Sequence, residues 1–470
     1  MRFQYNFFYM LKRGNSMEKN KKSSFSGRLG YVMAVAGSAV GLGNIWRFPY
    51  LAAKYGGGTF LFTYVILALT VGFALLVSET ALGKKPGNNP IKAYKILGAK
   101  KLKIGGWLNS IIPMLIVPYY CVVGGWVCKY LFEYLRGSSQ ILTQDTYFSN
   151  FIANPISPAF WLVVFAVLTF IVVIKGVEKG IEKVSKILMP ILVVIAIFIS
   201  IYGLMTPGAI EGLKYYIIPD FSKFSIMTVI AAMGQMFYSL SIGMGILFTY
   251  GSYMKKETFI EESTKNVEIF DTAIAIMAGL MIIPAVFAFS GGDPDTLQAG
   301  PALMFITIPK VFASMGFGTF AGVMFFLLVL FAALTSSIAL TESAVSTFED
   351  ELGWSRKKST VLCGVIMIAL GSLSSLGYGP LANVKIIGMQ FLDFFDFLTN
   401  SVMMPIAAIA TCLFVSRVVG VKRIEEEVTY GGGTFKRRKV FLFMIQYLCP
   451  IFAGIILLSS VANAFGWISM

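Results

Sequence analysis

Asn44 and Arg47 follow directly on a run of small residues, Ala36-Gly37-Ser38-Ala39-Val40-Gly41-Leu42-Gly43, inside a segment apolar enough to cross a bilayer. Glycines at that depth weaken a helix, and backbone N–H and C=O groups freed from it are tolerated only where they line a cavity or hold a ligand. The chemistry on offer is therefore binding. Close helix packing is the alternative, since Gly37 and Gly41 fit the small-xxx-small spacing. Polar side chains within a span are expensive unless they work, and Asn44 and Arg47 favour a site.

A second run of this kind is Gly234-Gln235-Met236-Phe237-Tyr238-Ser239-Leu240-Ser241-Ile242-Gly243-Met244-Gly245. Taken alone it could be a core helix softened by glycine. Its position argues for more, as the wider organisation of the chain shows.

The 470 residues are 56% hydrophobic and only 13% charged, with a mean hydropathy of +0.75, too apolar for a soluble protein of this size. Apolar runs at 30–54, 57–81, 105–135, 157–174, 184–206, 225–254, 268–290, 317–348, 359–376, 386–416 and 440–466 give eleven candidate spans. The segments before span 1 and after spans 2, 4, 6, 8 and 10 carry 31 of the 39 Lys and Arg residues. This alternation predicts a cytoplasmic N-terminus and an extracytoplasmic C-terminus in the cell membrane. It also explains the +15 net charge without nucleic acid. Lys436-Arg437-Arg438-Lys439 reads as a cytoplasmic stop signal, with an anionic-lipid contact as the alternative.

The two glycine-rich runs fall in spans 1 and 6, five apart. Paired interrupted spans in corresponding positions of two inverted halves point to a transporter site at the midplane. The expected fold is thus an all-α polytopic membrane protein with a 5+5 inverted repeat and broken helices 1 and 6. Its parts are a cytoplasmic tail (1–28), a first repeat (29–206), a second (207–416), a cytoplasmic loop (417–439) and an eleventh helix (440–470). The aromatic-rich Met1 to Gly14 is followed by charged residues, so no cleavable signal peptide is expected, and Met17 is an alternative start. Cys121, Cys128, Cys363, Cys412 and Cys449 lie in or beside apolar spans without CxxC spacing and read as packing residues. Histidine is absent, excluding a histidine proton relay or metal site. No HExxH, GxSxG or phosphate loop suggests an enzyme.

The signature Asn44-Ile45-Trp46-Arg47-Phe48-Pro49-Tyr50, after Ala39-Val40-Gly41-Leu42-Gly43 and before Gly56-Gly57-Gly58, closely resembles the neurotransmitter:sodium symporter family in its bacterial amino-acid branch. Eleven spans resemble its tyrosine and hydrophobic amino-acid members. The resemblance implies sodium-coupled import of an amino acid by alternating access, using two sodium ions and no organic cofactor. A sodium-independent exchanger or uniporter, or a non-transporting sensor, would share the fold.

The same resemblance implies site residues. A first sodium ion would use the Ala39 carbonyl, Asn44, Ser239 and Asp271; a second would use Gly37, Val40, Ala332, Thr335 and Ser336. Thr335 and Ser336 could alternatively bond back to their own helix turn. The substrate carboxylate would meet the amides of Leu42 and Gly43 and the Tyr120 hydroxyl, as anions suit half-helix N-termini. Its ammonium would meet Ala39, Tyr238, Ser239 and Ser241. Its side chain would lie among Ile116, Tyr120, Tyr238, Met244, Ser337 and Leu340. Monoamine carriers have an aspartate where this chain has Gly41, so an amino acid is expected. Met244 adapts to varied shapes, which implies the Tyr, Trp, Phe and Leu class.

Chloride-dependent members hold the anion with the positions of Tyr64, Gln235, Ser239, Asp271 and a serine that is Ala275 here. Asp271, where asparagine is common, supplies fixed negative charge and implies chloride independence. The alternative is that Asp271 merely marks a cytoplasmic helix end. The outer gate would be Arg47 with Asp396, above Tyr120 and Tyr238; the inner gate would be Lys22, Tyr253 and Asp350. Glu79 would brace the broken first helix.

Overall fold

The computed structural model describes residues 23–98, 102–291 and 300–468. Among these the chain is helical throughout, as apolar segments without water to satisfy their backbone must be. Nine continuous helices are long and apolar enough to cross a membrane: α3 (Gly58–Lys84), α4 (Lys103–Leu135), α5 (Ser157–Ile174), α6 (Val177–Leu204), α9 (Ile260–Ser290), α10 (Gly318–Leu352), α11 (Arg356–Leu376), α12 (Phe391–Val419) and α13 (Arg438–Ala464). A tenth span is a pair, α1 (Arg28–Ala39) and α2 (Gly43–Lys54), bent by 54° at the break. In place of the expected span 6 (225–254) stand two shorter helices, α7 (Ile226–Ser239) and α8 (Ile246–Ser252). At 14 and 7 residues, neither half crosses a bilayer of about 20 residues alone.

Both breaks fall where the small residues predict. After Ala39 the chain turns extended at Val40 (ψ 99°). In the second break Ser241, Gly243 and Gly245 have positive φ of 56°, 73° and 70°. Serine there is strained, and glycine is the residue that adopts this backbone readily.

Burial separates central helices from lipid-facing ones. The most apolar window of α4 is 83% buried inside the protein, against 28% for α13. The central helix therefore carries site residues, while the last one packs at the edge. α3 and α8 meet backbone to backbone, because a Cβ at Gly83 would lie 2.0 Å from Phe248 O and one at Gly251 2.5 Å from Thr80 O. This approach brings Glu79 of α3 beside the second break.

The segment between α12 and α13 straps the ends of two other spans. Glu261 accepts hydrogen bonds from the backbone amides of Lys436 (2.7 Å) and Arg437 (2.9 Å). The Arg437 guanidinium binds both oxygens of the fully buried Glu268 at 3.1 and 2.7 Å and lies 3.5 Å over the Phe73 ring. Glu427 faces Lys84 and Lys85 at 3.8 and 3.7 Å. α3 and α9 are thereby tied to one loop.

Candidate functional site

The carbonyls released where α1 ends have a partner on α10. The Ser336 hydroxyl lies 3.4, 3.2 and 3.2 Å from the carbonyl oxygens of Gly37, Ser38 and Val40. Thr335, one residue earlier and about 100° around the helix, instead donates to Phe331 O (3.0 Å) and Ala332 O (3.2 Å) of its own turn. Gly37 is close to it, since a Cβ there would be 3.1 Å from Thr335 Cβ. Gly37, Val40, Ala332, Thr335 and Ser336 therefore form one oxygen-rich contact between α1 and α10.

A second cluster lies past the break. Asn44 Nδ2 donates to Ser239 Oγ and to Asp271 Oδ1, both at 2.8 Å, while Asn44 Oδ1 accepts from Gly41 N at 3.1 Å. Ser239 Oγ also donates to Asp271 Oδ1 (2.8 Å), and the Tyr64 hydroxyl donates to Asp271 Oδ2 (3.0 Å). All four residues are buried. Among the described residues no Lys or Arg pairs with Asp271 within 4 Å. A buried carboxylate with hydrogen-bond donors but no basic partner is an attractive position for a cation. Asp271 lies mid-way along α9, not at a helix end. Gln235 Nε2 donates to Gly43 O at 3.1 Å, and Ala275 is fully buried one turn beyond Asp271.

Between the breaks a cavity is lined by Ala39, Leu42, Gly43, Ile116, Tyr120, Tyr238, Ser241, Met244 and Leu340. Leu42 N donates to the Tyr120 hydroxyl at 3.3 Å. Ser241 Oγ donates to Ser38 O at 3.1 Å and joins the two breaks. Gly43 lies against Tyr238, whose ring would be 2.4 Å from a Cβ.

Two expected placements, those of Ser337 and Glu79, are corrected. Ser337 does not face the cavity: its hydroxyl bonds Thr169 Oγ1 (3.0 Å) and Cys121 Sγ (3.4 Å), because the helix phase that turns Ser336 toward α1 turns its neighbour away. Glu79 braces the second break, accepting from Gly243 N at 2.9 Å. Arg47 and Asp396 line one vestibule of about 440 Å3 without an ion pair within 4 Å. Arg47 lies 5.6 Å from the Tyr238 ring centre, and Asp396 accepts from Asn400 Nδ2 at 2.6 Å. Tyr253 donates to Glu342 Oε1 (2.7 Å), which pairs with Arg356, while Asp350 Oδ2 accepts from Asn89 N at 3.0 Å. Lys22 lies outside the described residues.

Sequence reasoning misses Glu342, Arg356 and Ile246. Ile246 lines the cavity because α8 starts there, two residues past Met244. Glu342 and Arg356 lie fourteen positions apart. The signal that could have found Glu342 is its place as the one charged residue of the apolar run 320–348; Arg356 stands in the charged stretch 349–358, where no such signal exists.

Comparison with known proteins places this geometry. A solved structure of MhsT in complex with L-phenylalanine superposes with a TM-score of 0.84 at 36% identity, over 93% of this chain and 100% of the other. The sodium-dependent transporter YhdH of Bacillus subtilis is 34% identical over 448 residues, covering 94% of this chain and 98% of the relative. The sodium- and chloride-dependent taurine transporter of Bos taurus is 26% identical over 380 residues, covering 70% of this chain and 61% of the relative. These matches show the leucine-transporter-type fold of a multi-pass transporter, not an enzyme. The model of the sodium:neurotransmitter symporter family matches residues 22–139 and 147–466, and the chain belongs to that family, whose members couple transport to sodium.

Proposed function

We propose that this protein imports hydrophobic amino acids of the Tyr, Trp, Phe and Leu class together with two sodium ions, independently of chloride. The observation that carries the reading is Asp271, buried among Asn44, Ser239 and Tyr64 with no basic partner among the described residues. A sodium ion beside it would use the oxygens of Asp271, Ser239 and the Asn44 carboxamide, with the Ala39 carbonyl. A second ion would sit at the α1–α10 contact, on the carbonyls of Gly37, Val40 and Ala332 and the hydroxyls of Thr335 and Ser336. Hard oxygen donors suit such an ion.

The substrate carboxylate would take the Leu42 and Gly43 amides and Tyr120, and the ammonium would take Ala39, Tyr238, Ser239 and Ser241. Ile116, Met244, Ile246 and Leu340 would hold the side chain. The bound phenylalanine of the MhsT structure supports this class. Gly41 offers no carboxylate for an amine lacking its own acid group. The proposed orientation, N-terminus inside and C-terminus outside, rests on the Lys and Arg distribution.

An inward sodium gradient is expected to drive accumulation of radiolabelled L-phenylalanine in proteoliposomes, and replacing chloride by gluconate should leave the initial rate unchanged. Uptake that needs chloride would overturn the assignment of Asp271; uptake indifferent to sodium would overturn symport. Ser336→Ala should raise the sodium concentration for half-maximal uptake by about tenfold, through loss of one hydroxyl oxygen from the α1–α10 contact.

A further inference from the structure

The amides on either side of Met244 are each held by a buried side-chain oxygen from a different span. Gly243 N donates to Glu79 Oε1 of α3 at 2.9 Å, and Gly245 N donates to Asn109 Oδ1 of α4 at 3.2 Å. Asn109 is fully buried, and its Nδ2 donates to Gly105 O of the preceding turn at 2.9 Å. That bond orients the carboxamide and leaves Oδ1 free to accept from outside the helix. The backbones also touch here: a Cβ on Gly245 would stand 2.1 Å from Asn109 O.

Asn109 lies about two helical turns before Ile116 and about three before Tyr120, on the face of α4 that looks toward the cavity. Ile116, Tyr120 and Met244 all line that cavity. A buried amide at this depth is expensive unless it is needed.

We infer that Asn109 is a positioning residue for substrate size: by pinning Gly245 it fixes where Met244 stands, and so which side chains the cavity accepts. The inference rests on the amino-acid reading above. Without the acceptor, Gly245 N is a buried donor with no partner, and the left-handed glycines on either side of Met244 offer little resistance to rearrangement. Methionine itself is readily rearranged. A large substrate that needs Met244 in one place then binds only the fraction of molecules that have it there, whereas a small substrate that does not reach it is indifferent.

The test measures sodium-dependent binding of radiolabelled L-phenylalanine to the purified full-length protein, with unlabelled L-valine titrated to saturation as competitor. Asn109→Ala and the volume-matched Asn109→Leu are each expected to weaken phenylalanine binding by about tenfold and leave valine unchanged. Asn109→Asp keeps an acceptor oxygen in place and should restore phenylalanine binding. Equal weakening of both amino acids, no weakening, or no rescue by Asn109→Asp would overturn the inference. If the unsubstituted protein binds neither amino acid with sodium, the amino-acid reading itself fails and the inference falls with it, an outcome recognised without any variant.

Discussion

Asp271→Asn is expected to lower sodium-driven uptake at subsaturating sodium by at least about a hundredfold, measured as the initial rate in proteoliposomes. The carboxylate is fully buried, with Oδ1 accepting from Asn44 and Ser239 and Oδ2 from Tyr64. An asparagine there would turn an NH2 group toward one of these donors and carry no charge. Removing one partner of a buried ion pair costs about 3–5 kcal/mol, or between two and four decades in affinity. Adding chloride to the variant separates the causes. Chloride-stimulated recovery would mean that the missing element is charge, while its absence would place the loss in the hydrogen bonds. Near-normal uptake without chloride would sink the proposed first sodium site.

The second large effect is on stability. Arg437→Ala should destabilise the protein by about 3 kcal/mol or more, because it leaves Glu268 buried without its cation and also removes the guanidinium from the Phe73 ring. The measurement is thermal unfolding in detergent. Arg437→Ala combined with Glu268→Gln should recover most of the loss, since the double variant buries no unpaired charge. An unchanged melting temperature in the single variant would show that the pair is solvated in the working protein.

The two helix breaks are legible in the sequence because glycine spacing acts locally, and the backbone at Gly243 and Gly245 obeys it. The nine continuous spans and the bent first one are legible because hydrocarbon imposes a length. The gathering of Asn44, Ser239 and Asp271 is legible only through family resemblance, since they come from three different spans. What escapes is phase and reach. Ser336 and Ser337 are adjacent letters, yet helical rotation sends one to α1 and the other to Thr169. Glu79 is visible as a buried acid, but only the close contact of α3 with α8 decides that it serves the second break. Glu342 takes Tyr253 because both end in one buried polar pocket, which no spacing announces.

The strap between α12 and α13 has a consequence for biogenesis. Glu268 is made 169 residues before Arg437. At roughly 5–20 residues per second, the ribosome leaves that acid without its partner for roughly ten to thirty seconds. Nascent chains must therefore hold α9 incompletely seated, or its acid neutral, until the last loop emerges. A chain that ends before Arg437 would carry Glu268 without its cation, so this contact of α9 is completed only when the last loop has been made.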